Sequence, residues 1–136
     1  MEYLIGVGLA AAVCAFAALA GFDRDRVFYP TLVPVVATYY VLFAVMGGAT
    51  RALASESLVA VAFFVLAVAG FKTNLWLAVA GRAGHGVFDF FHHRLIQNPG
   101  VPLWWPGFCL SFDVLAAAVL ALLLMRRPGL ASRRSD

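Results

Sequence analysis

Long apolar runs, separated by short polar or Gly/Pro segments, dominate the chain. Five such runs cover residues 4–22, 30–48, 56–71, 75–94 and 107–125. Each approaches the ~20 residues that a helix needs to cross the ~30 Å hydrocarbon core of a bilayer. The pattern therefore predicts an all-α, polytopic membrane helix bundle with about five transmembrane helices. A bundle of four is the alternative, if the third and fourth runs are divided differently.

The composition supports a membrane protein and excludes an ordinary soluble domain. Of the 136 residues, 63% are hydrophobic and only 12% are charged, whereas soluble domains are roughly 45–50% apolar and about 25% charged. We expect one transmembrane domain, residues 1–125, followed by a basic cytoplasmic tail, residues 126–136. The tail is expected to meet anionic membrane lipids. No nucleic-acid partner is predicted, because no basic groove with stacking side chains accompanies the tail.

The positively charged residues predict the orientation, since short cytoplasmic loops carry an excess of Lys and Arg. With the N-terminus outside, seven of these residues are cytoplasmic and two are outside, and the opposite orientation inverts that ratio. The predicted topology is therefore N-out and C-in, in a multi-pass protein of a bacterial inner (plasma) membrane. The cytoplasmic set is Arg24, Arg26, Lys72, Arg126, Arg127, Arg133 and Arg134, and the outer set is Arg51 and Arg94.

The first run has an alternative interpretation as a cleaved signal peptide. Its residues 18–20, Ala-Leu-Ala, resemble a signal-peptide cleavage site. However, residues 1–3, Met-Glu-Tyr, carry no positive side chain, which signal peptides have at this position. Cleavage would also place the arginine-rich tail outside, so a retained first helix is preferred.

The fourth run contains GHGVFDFFHHR, residues 84–94, which holds all three histidines of the chain. At ~100° per residue, five polar side chains of this run fall within about 100° of arc on one helix face. Charged groups that face lipid are costly, so this face is predicted to point at protein or at a water-filled cavity. Its members are Arg82, His85, Asp89, His92 and His93.

Asp113 of the fifth run is a predicted partner for Asp89. Counted from the outer ends of their helices, Asp89 lies about 7.5 Å deep and Asp113 about 9 Å deep, at 1.5 Å per residue. The two helices are adjacent in sequence and antiparallel, so these carboxylates are expected at similar depth. Facing each other, they would not both ionise readily, and His85 or His93 could hold the balancing proton.

Other polar and aromatic positions are predicted to have structural roles. Arg82 points toward the N-terminal end of its helix, and we expect it to extend to the cytoplasmic headgroups. Glu56 is expected to be a helix-end carboxylate. Two aromatic pairs are expected to pack or to anchor the protein at the membrane interface, with a hydroxyl for the polar site as the alternative role of the first pair: Tyr39-Tyr40 and Trp104-Trp105.

The polar face predicts one of two kinds of site. As an acid–base site it would use His85, Asp89, His93 and Asp113 as catalytic groups, because a histidine beside a carboxylate moves protons near neutral pH. As a metal site it would bind a divalent ion such as zinc through His85, Asp89, His92 or His93, because ligands four residues apart share a helix face. The expected set is Asp89 with one or two of the histidines, completed by Asp113 from the fifth run, with one position open for water. No HExxH signature is present.

These residues predict a membrane-embedded enzyme of hydrolase, isomerase or cyclase type that acts on a lipophilic small molecule. Two alternatives stay open. The protein could be a small proton-coupled transporter, which at this size would need to form a homo-oligomer. It could also be a structural subunit in which the His/Asp cluster holds helices together.

The segment between the fourth and fifth runs, NPGVPLWWPGFC, contains Pro99, Pro102 and Pro106 and is predicted to be stiff. Together with GHGVFDFFHH and Phe112-Asp113, it resembles a family of small integral membrane proteins of unknown function found in bacteria and fungi. The resemblance covers residues 84–117 and implies a membrane protein without assigning a role to any residue.

A looser likeness is to the membrane hydrolases related to alkaline ceramidases, which join histidines and an Asp around zinc. That likeness implies a metal-dependent hydrolase. The chain departs from the pattern because it lacks the seven-helix size and the HxxxH motif on a late helix.

Overall fold

The chain folds into a bundle of long helices joined by shorter connections. A computed structural model describes residues 1–132, so Arg133 and Arg134 of the predicted basic tail lie outside the described residues. The prediction of an all-α fold is confirmed, since this part of the chain contains helices and no strand. In chain order the helices are α1 (Glu2–Ala20), a 3-10 turn (Phe22–Arg24), α2 (Phe28–Met46), α3 (Thr50–Lys72), α4 (Trp76–Leu95), α5 (Trp105–Arg126) and α6 (Pro128–Ala131).

Within residues 1–132, four helices are long and apolar enough to cross a membrane: α1, α2, α3 and α5. The fourth helix, α4, matches them with 20 residues, but it carries the polar face. Large apolar side chains cover the outside of the bundle, as Leu4, Leu19 and Leu58 illustrate with 73% or more of their surface exposed. An outside of this kind suits lipid and not water, as expected for an integral membrane protein.

The helices pack around α4 and α5. One side of α5 contacts α1 and the other contacts α4, while α3 packs on α2 and on α4. Small residues allow the close approach of α1 to α5: a side chain at Gly6 would overlap the carbonyl oxygen of Phe108. Ala10 and Ala17 continue this face at 0% exposure. Small residues at helix contacts are typical of membrane bundles, where they let backbones approach.

The third helix is longer than its apolar run predicts. It begins at Thr50 instead of residue 56 and has 23 residues. The segment before the apolar run, residues 50–55, contains Ala52, Leu53 and Ala54, which favour helix strongly. Glu56 therefore lies inside the helix, almost two turns from its start. Its predicted role as a helix-end carboxylate is wrong.

Arg26 holds the ends of several helices together. Its guanidinium donates hydrogen bonds to the carbonyl oxygens of Phe71 at 3.1 Å and Thr73 at 3.3 Å, at the end of α3, and to that of Leu130 in α6. Carbonyls at a helix C-terminus lack partners within the helix, so a cation there stabilises the end. The ends of α3 and α5 and the start of α2 thus meet at one end of the bundle.

Candidate functional site: a buried network of acid–base pairs

Four polar side chains of α4 are buried along one line of the helix. Arg82, His85 and His92 are 0% exposed and Asp89 is 1% exposed. Their spacing of three, four and three residues places them on one narrow face. That face is covered by α2, α3 and α5. The apolar side chains of the opposite face, such as Phe90, are exposed to the outside.

His85 lies between two carboxylates. Its Nδ1 is 2.7 Å from Asp113 Oδ2, on α5, and 3.2 Å from Asp89 Oδ2, one turn along α4. The ligand atoms of the three residues all lie within 4.8 Å of one another. The predicted approach of Asp89 and Asp113 is therefore present, and His85 joins them. Gly86 faces α5 beside this cluster, and a side chain there would begin 3.5 Å from Asp113 Cβ, at ordinary contact distance.

Arg82 pairs with Asp113 instead of reaching the headgroups. The distance from Arg82 Nη2 to Asp113 Oδ1 is 2.9 Å, and both side chains are 0% exposed. The guanidinium carbon also lies 5.1 Å from the centre of the Phe112 ring, within the range of a cation–π interaction. The prediction that Arg82 extends to the cytoplasmic surface is wrong. A carboxylate within reach on α5 makes burial of the cation tolerable.

Tyr40 supplies a hydroxyl to the cluster from α2. Its phenol donates a hydrogen bond to Asp89 Oδ1 at 2.6 Å, and the residue is 1% exposed. Its neighbour Tyr39 is 41% exposed and packs on Trp105 instead, with ring centres 5.1 Å apart. The expectation that both tyrosines serve packing is wrong for Tyr40, and the alternative role of a hydroxyl for the site applies to it.

A further acid–base pair, His92 and Glu56, lies next to the His85 cluster, toward the C-terminal end of α4. His92 Nε2 is 2.7 Å from Glu56 Oε1, and the Asn98 amide donates to the same carboxylate oxygen at 2.9 Å. Glu56 is 1% exposed and Asn98 is 7% exposed. The His92 ring stacks on Tyr40 with centres 4.3 Å apart and planes at 30°. Tyr40 therefore contacts both pairs, through its hydroxyl and through its ring.

The loop of residues 96–104 is fixed in place by close backbone contacts. A side chain at Gly100 would overlap the carbonyl oxygen of Phe43, and one at Gly47 would come within 2.7 Å of the Gly100 nitrogen. The Asn98 amide also donates to the Tyr40 carbonyl oxygen at 3.1 Å. The loop thus binds the end of α2 through its backbone, and this positions Asn98 above Glu56.

His93 does not join the other predicted site residues. Its side chain is exposed, and its ring lies beside His92 with centres 5.6 Å apart. The residue falls just beyond the narrow face that the other four polar side chains share. The structure therefore brings together His85, Asp89 and Asp113 from the predicted catalytic set and leaves His93 outside. The predicted role of His93 as an outer base or ligand has no support from this geometry.

The predicted metal set is also divided. His92 pairs with Glu56, so a metal would have to bind His85, Asp89 and Asp113, the one group of at least three His, Cys, Asp or Glu residues within ligand distance among residues 1–132. Zinc bonds to such ligands measure about 2.0–2.2 Å. Arg82 already neutralises Asp113, so a divalent cation would compete with it. The ligand types fit a metal, and Asp89, which has no guanidinium beside it within the described chain, can be balanced by a proton on His85 or by a bound cation.

The buried polar groups of α4 and its neighbours form three acid–base pairs. Each pair joins one carboxylate with one basic side chain at 3.2 Å or less. A low-dielectric interior disfavours net charge. Each of these pairs has a net charge of zero, whether the proton of a histidine pair lies on the histidine or on the carboxylate. The pairs are Arg82–Asp113, His85–Asp89 and His92–Glu56.

Glu56 and Asn98 were not predicted as site residues, and Tyr40 was predicted only as an alternative hydroxyl, because their partners are far away in the chain. The spacing of three, four and three residues along α4 could have separated His92 from His93. The chain matches no protein-family model, and no curated protein and no solved structure matches it. The resemblance of residues 84–117 to a family of small membrane proteins therefore stays a prediction.

Proposed function

We propose that the protein is a membrane-embedded acid–base enzyme that acts on a lipophilic substrate. The observation that carries the proposal is the position of His85 Nδ1 between Asp89 and Asp113, at 3.2 and 2.7 Å, inside a helix bundle. Carboxylates that hold one imidazole nitrogen orient the ring and leave the other nitrogen to exchange protons. Burying these ionisable side chains in a membrane costs free energy, so a function is expected to offset that cost.

The remaining groups have distinct roles in this proposal. His85 Nε2 has no hydrogen-bond partner among residues 1–132. In the proposal it is the nitrogen that exchanges a proton with the substrate. The rings of Phe63 and Phe88 lie 4.9 and 6.1 Å from the His85 ring and give it an apolar surrounding. Arg82 and Tyr40 act as positioning residues, because each holds one of the carboxylates.

The proposed topology has five crossings, with α4 as the polar one and the N-terminus outside. It is supported by the contacts at the end of the bundle where Arg26 meets α3 and α6. Arg127 lies 3.3 Å from Asp23 at the same end. Lys72 ends α3 there too, so positive side chains gather at one end, as the cytoplasmic side requires. The proposed location is a bacterial plasma membrane.

The topology is tested with single cysteines placed at opposite ends of the bundle. Asp25 and Thr50 are exposed, one before α2 and one at the start of α3. Asp25→Cys should react with a membrane-impermeant maleimide only in inside-out vesicles, and Thr50→Cys only in intact spheroplasts. The native Cys14 and Cys109 are buried and are replaced by Ala in both proteins. Equal reaction from one side would contradict the proposed crossings.

The enzyme proposal is tested with Asp89→Asn, which keeps the shape of the side chain and removes its basicity. Membranes from cells that express the wild type or the variant are compared by untargeted lipid mass spectrometry. A lipid conversion that requires the wild type and disappears with Asp89→Asn supports the enzyme. The matched control is Asp25→Asn, an exposed aspartate outside the polar cluster, which should convert like the wild type.

Two results would contradict the enzyme proposal. If the wild type changes no lipid in the membrane or in an added lipid extract, acid–base catalysis on lipids is wrong. If Asp89→Asn converts lipids as fast as the wild type, the His85–Asp89 pair is not the catalytic group. If the variant instead fails to insert or loses its cooperative unfolding transition, the result supports the structural alternative.

The His92–Glu56 pair favours proton transport as an alternative function. Along α4, His92 lies seven residues beyond His85, or about 10.5 Å, and Tyr40 contacts both rings. A row of titratable groups along a membrane helix is typical of proton relays. Purified protein in liposomes with a pH-sensitive dye should then show proton flux that His85→Gln abolishes. No flux above that of empty liposomes would reject this alternative.

A further inference from the structure

His85 is closed off from the outside of the bundle, although the proposed function requires a substrate to reach it. The residue is 0% exposed, and its Nε2 has no hydrogen-bond partner within the described chain. A substrate reaches this nitrogen only if a neighbouring side chain moves aside. A side chain held by a buried hydrogen bond resists such a movement, whereas an apolar ring can turn without breaking a polar contact. The neighbours of His85 therefore indicate which side can open.

Three sides of His85 are closed by polar contacts. On the α5 side lies Asp113, 2.7 Å from the imidazole and also held by a guanidinium. On the α2 side, the Tyr40 hydroxyl donates to Asp89 at 2.6 Å. Toward the C-terminal end of α4 lies His92, which is paired with a carboxylate of α3 at 2.7 Å. Opening any of these sides would leave a buried polar group without its partner.

The fourth side, between α3 and α4, is closed by the rings of Phe63 and Phe88. Nearer the end of α3 the two helices touch, since a side chain at Gly81 would begin 3.0 Å from Leu66 Cδ2. One turn further along α4 they are less close, and the nearest atom to a side chain added at Gly84 is Phe63 Cε1, at 3.9 Å. At this level the contact between α3 and α4 therefore depends on aromatic side chains.

One ring, that of Phe63, separates His85 from the outside at this level. The centre of the Phe63 ring lies 4.9 Å from that of His85, and the far side of the ring faces Gly84, which is exposed. Phe88 packs beside it with ring centres 6.1 Å apart. Both phenylalanines are only partly buried. A turn of the Phe63 ring would connect the outside of the bundle with His85.

The depth of His85 limits the kind of substrate that can use this route. It is the tenth of the 20 residues of α4, so about 14 Å of helix lie on either side of it, close to half of the ~30 Å hydrocarbon core. A charged group is costly at this depth. The group that reacts at His85 therefore belongs to an uncharged lipid, or to the uncharged part of a larger one.

We propose that Phe63 is a side-chain gate through which an uncharged lipid enters from the middle of the bilayer, between α3 and α4, and reaches His85 Nε2. This inference rests on the proposed function, because it names the route and the kind of substrate for the same site. Gly84 forms the outer opening, because it has no side chain to block the approach. Phe63 is the movable ring, and His85 lies at the inner end of the route.

The gate is tested with diethyl pyrocarbonate, a small uncharged reagent that enters membranes. It transfers an ethoxycarbonyl group to an unprotonated imidazole nitrogen, with release of ethanol and carbon dioxide. Purified protein in nanodiscs is treated, and tandem mass spectrometry gives the rate at each histidine. Phe63→Ala should speed the modification of His85 by at least about tenfold, which corresponds to about 1.4 kcal/mol less free energy of opening. The rates at buried His92 and exposed His93 should stay unchanged.

Phe64→Ala is the matched control, because it removes the same ring from the next position of α3, where Phe64 is 55% exposed. It should leave the rates at all three histidines unchanged. An unchanged rate at His85 in Phe63→Ala would overturn the gate. So would an equal acceleration at His92, since the substitution would then have loosened the whole bundle, or an equal effect of Phe64→Ala.

Narrowing the opening should have the reverse effect. Gly84→Leu places a side chain over the outer edge of Phe63, and Ala83→Leu adds one at the exposed neighbouring position. Gly84→Leu should slow both the modification of His85 and lipid conversion, and Ala83→Leu should change neither. Modification of His85 that depends on Phe63 without any lipid conversion would reject the enzyme and keep the route. Lipid conversion that Gly84→Leu leaves as fast as the wild type would reject the gate and keep the enzyme.

Discussion

The hydroxyl of Tyr40 and the carboxylate of Asp89 are joined by a 2.6 Å hydrogen bond between α2 and α4. The same carboxylate lies 3.2 Å from His85. Tyr40 also stacks on His92, so one side chain of α2 holds two polar groups of α4 in place. The two helices are therefore joined at the centre of the polar face by a polar contact as well as by apolar packing.

Replacing Tyr40 by Phe should destabilise the protein by about 1–3 kcal/mol, because Asp89 Oδ1 then loses a buried donor. Thermal unfolding in detergent micelles, followed by circular dichroism, measures this change. The matched control is Tyr39→Phe, since Tyr39 is 41% exposed, and it should change stability by less than about 0.5 kcal/mol. If Tyr40→Phe lowers the unfolding free energy no more than Tyr39→Phe does, the hydrogen bond from Tyr40 to Asp89 does not stabilise the protein.

The Arg82–Asp113 pair should behave as a coupled unit. Asp113→Leu leaves a buried guanidinium without its carboxylate, and Arg82→Met leaves the carboxylate without its cation. We expect each single substitution to cost about 3–5 kcal/mol. The double substitution should cost less than the sum of the two, with a coupling free energy of about 1–3 kcal/mol from denaturant titrations. Additive effects would contradict a direct interaction.

Replacing Asn98 by Asp should destabilise the contacts among Asn98, Glu56 and His92. The change removes the amide that donates to Glu56 at 2.9 Å and to the Tyr40 carbonyl oxygen at 3.1 Å. It also places a second carboxylate beside Glu56 in a buried position. We expect a loss of about 2–4 kcal/mol in unfolding free energy. Gln97→Glu, at an exposed neighbour, adds the same charge and should have almost no effect.

Two Gly→Ala substitutions should have opposite effects. Gly100→Ala places a methyl group against the carbonyl oxygen of Phe43 and should displace the loop from α2. At Gly8 nothing lies within 4 Å of an added side chain, so Gly8→Ala should stabilise α1 by up to about 1 kcal/mol through helix propensity. Unfolding temperatures distinguish the two. A neutral Gly100→Ala would contradict the close contact between loop and helix.

The helices follow from the sequence because lipid demands long apolar segments and helices satisfy their own backbone hydrogen bonds. The start of α3 differs, since helix propensity at Ala52 and Ala54 extends the helix beyond its apolar run. The polar face of α4 and the partner Asp113 were also predictable. Helical periodicity shows which side chains share a face, and depth shows which carboxylates are at the same level.

The remaining contacts depend on how helices distant in the chain pack together. Glu56 is separated from His92 by 36 residues, and Tyr40 from Asp89 by 49. Nothing in the local sequence around Glu56 indicates a buried partner. Arg82 has the length to reach the headgroups, and only the position of α5 shows that Asp113 is closer. Pairing across helices is therefore the part of the site that required the structure.

The short distances within the histidine pairs also affect how the site responds to membrane voltage. A full transmembrane crossing of one charge is worth about 2.3 kcal/mol per 100 mV. A proton that moves the 2.7 Å between His85 and Asp113 crosses less than a tenth of the ~30 Å core. Each 100 mV of membrane voltage would therefore bias that transfer by about 0.2 kcal/mol at most. The proton exchange proposed for this site would therefore respond only weakly to the membrane voltage.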